Sequence, residues 1–99
     1  MNVLTIVKEN EEFQGTRGVS GNNRELGFEP AFLNKETGQV EIARVQNGQP
    51  ARMHLISWLP PEWATDVDEK GVVLSLTPSV IAGFTRDGVF YTRTEAAEL

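Results

Sequence analysis

The 99-residue sequence contains no cysteine, no run of basic residues and no long apolar segment. The lack of cysteine excludes a disulfide framework, a thiolate nucleophile and a cysteine-ligated metal site, and it is typical of a reducing compartment. No apolar run approaches the roughly 20 residues that a membrane-spanning helix needs, and the first ten residues lack the basic start and apolar core of a signal peptide. We therefore expect a cytoplasmic protein with no membrane partner.

Charge narrows the range of partners further. The formal net charge is −5, and the nine lysines and arginines are spread along the chain from Lys8 to Arg93. Binding to nucleic-acid phosphates needs clustered basic side chains, and a negative overall field opposes it. The sequence thus predicts no nucleic-acid partner.

Length and composition predict a single folded domain. A chain of this size buries roughly two-thirds of its unfolded surface, and 39% hydrophobic residues are enough for one core. The apolar run at 3–7 predicts a first strand. Residues 8–27 contain four of the nine glycines and many polar side chains, so this stretch is predicted to be a flexible segment.

The C-terminal part carries the strongest local pattern in the chain. Asp-Gly at 87–88 lies between two runs rich in β-branched and aromatic residues, which predicts a type I′ hairpin. In that register Phe84 faces Tyr91, and Gly83 lies diagonally beside Phe90 on the other face. A strand glycine at this place either lets the Phe90 ring lie over bare backbone or leaves room for a ligand or partner.

A second two-residue turn, Asn-Gly at 47–48, predicts a hairpin in the middle of the chain. Counting outward from this turn places Glu41 opposite His54. Pro50 cannot donate to a strand ladder, so we place this end of the hairpin at a sheet edge. The pattern predicts a three-stranded meander made from residues 28–34, 39–46 and 51–58.

Two short helices are predicted in the second half of the chain. Proline is tolerated in a first helical turn, so Pro-Pro-Glu at 60–62 favours one or two helical turns. Thr92 followed by Glu95 matches a capping box and predicts a C-terminal helix. The predicted fold is α+β: an antiparallel sheet of five to six strands with a short helix after Pro60 and a C-terminal helix. A small β-barrel is the alternative.

No motif indicates catalysis, metal binding or a cofactor, so no catalytic residue, metal or cofactor is predicted. His54 is the only histidine, and a facing Glu41 would orient its ring and favour its charged form. The alternative is an ordinary polar pair on a solvated face. Trp58 and Trp63 flank a stiff Leu-Pro-Pro-Glu segment; tryptophan is enriched at binding hot spots, but these rings would equally cover an open end of the sheet.

These features favour a non-enzymatic binding or protein-interaction module. Its partner is a protein or a second copy, with a homodimer formed through strand edges near Val3 or Pro50. The alternative is a small-molecule-binding protein or simple enzyme with an aromatic-lined cleft near His54. A third is an inhibitor that presents acidic side chains to a nucleic-acid-binding protein. The candidate binding residues are Trp58, Trp63, His54, Glu41, Phe28, Phe32 and Tyr91.

Three motifs stand out along the last three-quarters of the chain. They are Gly-Phe-Glu-Pro-Ala-Phe-Leu at 27–33, Trp-Leu-Pro-Pro-Glu-Trp at 58–63 and Gly-Phe-Thr-Arg-Asp-Gly-Val-Phe-Tyr-Thr-Arg-Thr-Glu-Ala-Ala at 83–97. Through them the chain resembles a group of short, uncharacterised bacterial proteins associated with mobile or accessory genes. The shared motifs are structural, so the resemblance implies no activity and no catalytic residue.

Overall fold

The computed structural model describes all 99 residues, and its first element is a helix. Helix α1, Val3–Glu12, is capped by Asn2, whose side chain accepts a hydrogen bond from the Thr5 N–H while the Thr5 hydroxyl accepts one from the Asn2 N–H. The strand predicted at 3–7 is therefore wrong. This capping box and the straight-chain polar residues that follow favour a helix over the β-branched run, and Ile6 is the only buried residue of α1.

The stretch between α1 and the sheet contains further helical structure. Helix α2 covers Ser20–Asn23, and a 3₁₀ turn follows directly at Arg24–Leu26. Asn23 is fully buried, and its Nδ2 donates to the Arg17 carbonyl at 2.6 Å. This side-chain bond, to a carbonyl six residues earlier, links the end of α2 to the preceding loop.

Six strands form two antiparallel sheets. The strands are β1 Glu29–Asn34, β2 Val40–Ile42, β3 Ala64–Val67, β4 Val73–Leu76, β5 Val80–Arg86 and β6 Val89–Thr92. The larger sheet has the order β2-β1-β5-β6, and the smaller sheet pairs β3 with β4. The predicted α+β class is confirmed. Because β2 and β6 are unpaired edges, the larger sheet stays open and does not close into a barrel.

The C-terminal hairpin forms in the predicted register. The two residues at 87–88 have φ values of 52° and 78°, as a type I′ turn requires, and Phe84 pairs with Tyr91. A Cβ added to Gly83 would collide with the Phe90 ring and with the carbonyl oxygen of Tyr91. This glycine therefore accommodates a packed ring and leaves no room for a ligand.

The Asn-Gly turn in the middle of the chain also forms, but its register differs from the prediction by one residue. Residues 46–48 make a three-residue loop in which Gly48 is left-handed, with φ 89°. The adjoining bridge joins Arg44 to Pro50, whereas a two-residue loop would have joined Arg44 to Ala51. A one-residue slip exchanges the two faces of a strand, so the facing residues inferred for this hairpin are wrong.

Residues 51–58 form no strand, so the predicted meander is not completed. The pairing ends at Ala51, whose N–H donates to the Ala43 carbonyl at 2.8 Å. β2 is consequently an edge strand, and the other neighbour of β1 is β5, a seven-residue strand that pairs along the full length of β1. The predicted pairing of Glu41 with His54 is also wrong, because residues 51–58 form no strand.

Both helices predicted in the second half of the chain are confirmed. The one after Pro60 is a single 3₁₀ turn, Pro61–Trp63, and helix α3 covers Arg93–Ala97. Thr92 caps α3, with Glu95 returning the second bond of the capping box. None of the helices has both the length and the apolar character that crossing a membrane requires.

The core lies on one side of the larger sheet. One cluster joins Ile6 of α1 to Phe32 and Trp63, and a smaller one joins Phe28 and Phe84 to Ala96 of α3. The side chains that the strands of the larger sheet contribute to these clusters all point to the same side of the sheet. They are Phe32, Val80, Ala82 and Phe84. Both α1 and α3 therefore pack on the same face.

Candidate functional site

The larger sheet has one covered face and one face without a covering element. The covered face carries Phe32, Ala82 and Phe84 beneath α1 and α3. Alternation along the strands and the pairing register place the intervening residues on the opposite side. That side is termed the open face, and its apolar side chains are Ala31, Leu33, Val40, Ile42, Ile81 and Phe90.

The open face is apolar although solvent reaches it. Four of its six apolar side chains are partly exposed, Val40 is 37% exposed, and only Ala31 is fully buried. None of the six belongs to a core cluster, and Glu29 is the only carboxylate that the strands place on this side. The solvated face of an antiparallel sheet normally carries polar side chains. A contiguous exposed apolar surface instead indicates an interaction site.

Sequence reasoning missed the open face, although β5 carries an indication of it. Val80, Ala82 and Phe84 point to one side of the strand, and Ile81 points to the other. Apolar residues on both sides are typical of a strand that is buried on both sides. Gly83 interrupts the second set of alternate residues, which is why the pattern indicates a strand with a single buried side.

Four of the seven predicted binding residues do meet, but inside the protein. The Phe28 and Tyr91 rings lie 5.3 Å apart, and the Phe32 and His54 rings lie 5.4 Å apart. Phe84 connects the two pairs, at 6.1 Å from Phe28 and 5.0 Å from His54. All of these contacts are edge-to-face, the arrangement favoured by aromatic quadrupoles. The rings pack the covered face and do not line a common cleft.

The other three predicted residues lie in different environments. Trp63 is 2% exposed and belongs to the larger core cluster, whereas Trp58 is 40% exposed and belongs to neither cluster. Glu41 accepts a hydrogen bond from Gln39 Nε2 at 2.8 Å and makes no hydrogen bond or ion pair with His54. Of the seven, only Trp58 presents a large apolar surface to solvent.

His54 is held by two hydrogen bonds that fix its protonation state. Arg93 Nη2 lies 3.1 Å from His54 Nδ1, and the Gly83 carbonyl oxygen lies 2.6 Å from His54 Nε2. A guanidinium only donates and a carbonyl only accepts. Nδ1 is therefore the acceptor and Nε2 carries the proton, so the ring is neutral and neither nitrogen is free for a ligand.

The surroundings of His54 keep it neutral over a wide pH range. Burial lowers the pKa of His54 from 6.5 to about 4; the positive charge of Arg93 adds to the effect, and the bond to the Gly83 carbonyl opposes it. A proton on Nδ1 would point directly at the guanidinium of Arg93. The ring consequently acts as a neutral link between β5 and α3, not as a proton donor or acceptor near neutral pH.

Arg93 is the only buried lysine or arginine, and it ties together distant parts of the chain. Its Nη1 donates to the Gly18 carbonyl at 2.9 Å, and its Nε lies 3.1 Å from Glu9 Oε1 in an ion pair whose N–H is not aligned for a hydrogen bond. Burial lowers the pKa of Arg93 and raises the pKa of Glu9, and their mutual attraction opposes both shifts.

Nothing in the sequence identifies Arg93 as a buried residue. It follows the capping Thr92 in the first turn of a short helix, a position that is usually solvated, and its bonded partners His54 and Gly18 are 39 and 75 residues away. Its role depends on the tertiary arrangement alone.

The surface clefts are small. Four are present, with volumes between about 90 and 360 Å³, and none is lined by more than one of the five predicted aromatic residues. The cleft beside His54 has a volume of about 230 Å³, and its polar lining includes Asn10, Ser20, Arg24 and Arg52. No group of three or more histidine, aspartate or glutamate side chains is placed to hold a metal ion.

Comparison of the chain with protein-family models, curated proteins and solved structures gives no significant match. We therefore base the function on the open face and on the clefts.

Proposed function

We propose that this protein is a non-enzymatic module that binds another protein through the open face. The supporting observation is that Leu33, Ile42 and Ile81 form an apolar sheet surface with no element of the chain over it. Covering that surface would remove it from water, which is the main favourable term in protein association. A hydrolytic or acid–base enzyme has less support, because the only histidine is buried with both ring nitrogens bonded.

The size of the open face indicates how much of an interface it supplies, and the net charge favours a different protein over a second copy. Four strands about 4.8 Å apart, each with about five residues, give a footprint of about 300 Å². A stable interface covers about 800 Å² on each partner, so the open face is the apolar centre of an interface whose polar rim lies on the surrounding loops. Two copies, each with a net charge of −5, also repel each other, whereas a partner with a basic rim is attracted.

The small-molecule alternative receives less support from the packing. The predicted aromatic cleft would need Phe28, Phe32 and Trp63 at a common opening, and all three are buried. The one cleft that is lined mostly by apolar residues has a volume of only about 90 Å³, far below that of usual ligand pockets. The proposal includes a cytoplasmic location, where the module would bind its partner.

The test removes the apolar character of the open face and leaves its strands intact. Threonine keeps a high β-propensity, so a Leu33→Thr/Ile81→Thr double variant is expected to fold. Affinity capture from the native host, followed by sedimentation of the recovered complex, is expected to show binding by the parent protein. The double variant is expected to bind at least about tenfold more weakly, because central apolar residues dominate interface energy.

The matched control is Val67→Thr, which changes an exposed valine of β3 in the smaller sheet. This variant is expected to retain the partner as well as the parent does. Equal retention by all three proteins would place the binding surface elsewhere and contradict the proposal. A complex that contains only copies of this chain, again lost in the double variant, would keep the surface but replace the hetero-partner with a homodimer.

A further inference from the structure

We propose that the cleft between α1, α2 and residues 52–54 binds a phosphate group through Arg24 and Arg52. This site is separate from the open face, and the inference does not depend on the protein-interaction role. The volume of about 230 Å³ lies below the range of drug-sized ligand pockets, which begins at about 300 Å³. It suits a small anionic group, free or at the tip of a larger molecule.

The charge of the lining is the first supporting observation. Two of the eight lining residues are arginines and none is a carboxylate, in a chain that has 14 acidic and nine basic residues. Neither Arg24 nor Arg52 forms an ion pair, since the only ion pair in the structure joins Arg93 to Glu9. The cleft is therefore a local positive site on an acidic protein.

The second observation is that both arginines stand on anchored backbone. Arg24 begins the 3₁₀ turn, and its Nη2 donates to the Arg52 carbonyl at 3.2 Å, which uses one of five guanidinium donors. Arg52 lies between Ala51, whose N–H bonds to Ala43, and His54, whose ring is fixed by two hydrogen bonds. Anchoring reduces the entropy that is lost when a ligand orders these groups.

The remaining polar groups of the cleft agree with an anionic ligand. The Asn10 amide and the Ser20 hydroxyl supply neutral donors, and the His54 ring forms part of the wall with both nitrogens already bonded. Positive charge therefore comes from the two guanidiniums alone. Each guanidinium presents a planar fork, and two forks from different segments match the several oxygens of a tetrahedral phosphate better than the two oxygens of a carboxylate.

The test is an NMR titration of the ¹⁵N-labelled protein at neutral pH and constant ionic strength. The probes are inorganic phosphate, phenyl phosphate and acetate. We expect saturable shifts of the backbone amides at 20–24 and 52–54 with a phosphate-bearing probe. Arg24→Gln and Arg52→Gln are each expected to weaken binding about tenfold, because each removes a charge-assisted contact.

The matched control is Arg44→Gln, which removes the same charge from an exposed arginine that donates to the Gly48 carbonyl outside the cleft. We expect it to change the affinity less than about twofold, because screening weakens its long-range effect. Saturation by phenyl phosphate alone would identify an esterified phosphate as the ligand. Saturation by both phosphate probes would mean that the site also binds the free phosphate ion.

Three results would overturn the proposal. The first is shifts that stay linear up to about 10 mM probe, which means that no site saturates in that range. The second is tighter binding of acetate than of phosphate, and the third is an equal loss of affinity in Arg44→Gln. Arg24 and Arg52 are exposed, so unchanged thermal melting is expected for their variants and separates a lost site from a lost fold.

Discussion

Alternate residues of the same strands build the two faces of the larger sheet, but only one face is sealed within the chain. Phe32 and Phe84 on the covered face are fully buried beneath α1 and α3, while Leu33 and Ile81, their neighbours or near neighbours in sequence, stay partly exposed on the open face. Both faces are apolar. The difference teaches that apolar strand residues become core only where another element covers them, and the open face has the composition of a core without the cover.

The two faces also differ in the polar contacts that connect them to other parts of the chain. Under the covered face, Arg93 and His54 connect β5, α1 and α3 through buried hydrogen bonds and an ion pair. The open face contains no such polar link. Its stability within the monomer therefore depends on strand pairing and on contacts between adjacent side chains.

The largest contrast is expected from removing one phenylalanine on each face. Phe84→Ala should lower the free energy of unfolding by about 3–5 kcal/mol, because it leaves a cavity among Phe28, His54 and Ala96. Phe90→Ala should cost only about 1–2 kcal/mol, because that ring is partly exposed above Gly83. Urea unfolding measures both. Equal losses would mean that the open face is sealed within the monomer.

Acid is expected to weaken the covered face specifically. The pKa of His54 is about 4 in the folded protein and about 6.5 when unfolded, so the unfolded chain binds the extra proton between these values. Stability should therefore fall as the pH drops from 6.5 to 4, by about 3 kcal/mol from His54 in total. Glu9 acts in the opposite direction near its own titration, because its pKa is raised in the folded state. Urea midpoints at several pH values follow the trend.

Two variants test whether His54 causes this pH dependence of stability. His54→Gln removes the titrating ring and should flatten the profile between pH 4 and 6.5. Glu41→Gln should leave both the profile and the NMR titration of His54 unchanged, because Glu41 bonds to Gln39 and not to the ring. A His54 that titrates near 6.5 in the folded protein would remove the basis of the prediction.

The smallest contrast uses one substitution on both faces. Val80→Thr buries a hydroxyl at a position that is 2% exposed and should cost about 1–3 kcal/mol. Val40→Thr makes the same change on the open face, where the hydroxyl meets water, and should cost less than about 0.5 kcal/mol. Thermal unfolding distinguishes them. A Val40→Thr protein as unstable as Val80→Thr would contradict the division into a covered and an open face.

The parts of the fold that were predicted from sequence depend on local chemistry. The hairpin at 87–88 follows from two residues that adopt positive φ, and α3 follows from the Thr92–Glu95 capping box; both signals act within a few residues. The hairpin turns and the short helix signals together also predicted the α+β class. Each of these features is confirmed because no distant contact competes with it.

The parts that failed depend on competition or on distant partners. The run at 3–7 suits a strand, but a capping box starting at Asn2 makes it helical. The turn at 47–48 contains the expected dipeptide, yet a third loop residue shifts the register, and residues 51–58 form no strand, so β2 is left at the edge of the sheet. None of the seven predicted binding residues lies on the open face, and four of them pack together as core. The buried Arg93 depends on partners far along the chain.

The most direct test of the open face as a binding surface is photo-crosslinking in the native host. A benzophenone amino acid replaces Ile81 in one protein and Val67, on the smaller sheet, in another. The account predicts a covalent adduct with a partner protein from position 81 and none from position 67. Adducts of equal yield at both positions, or none at position 81, would contradict it.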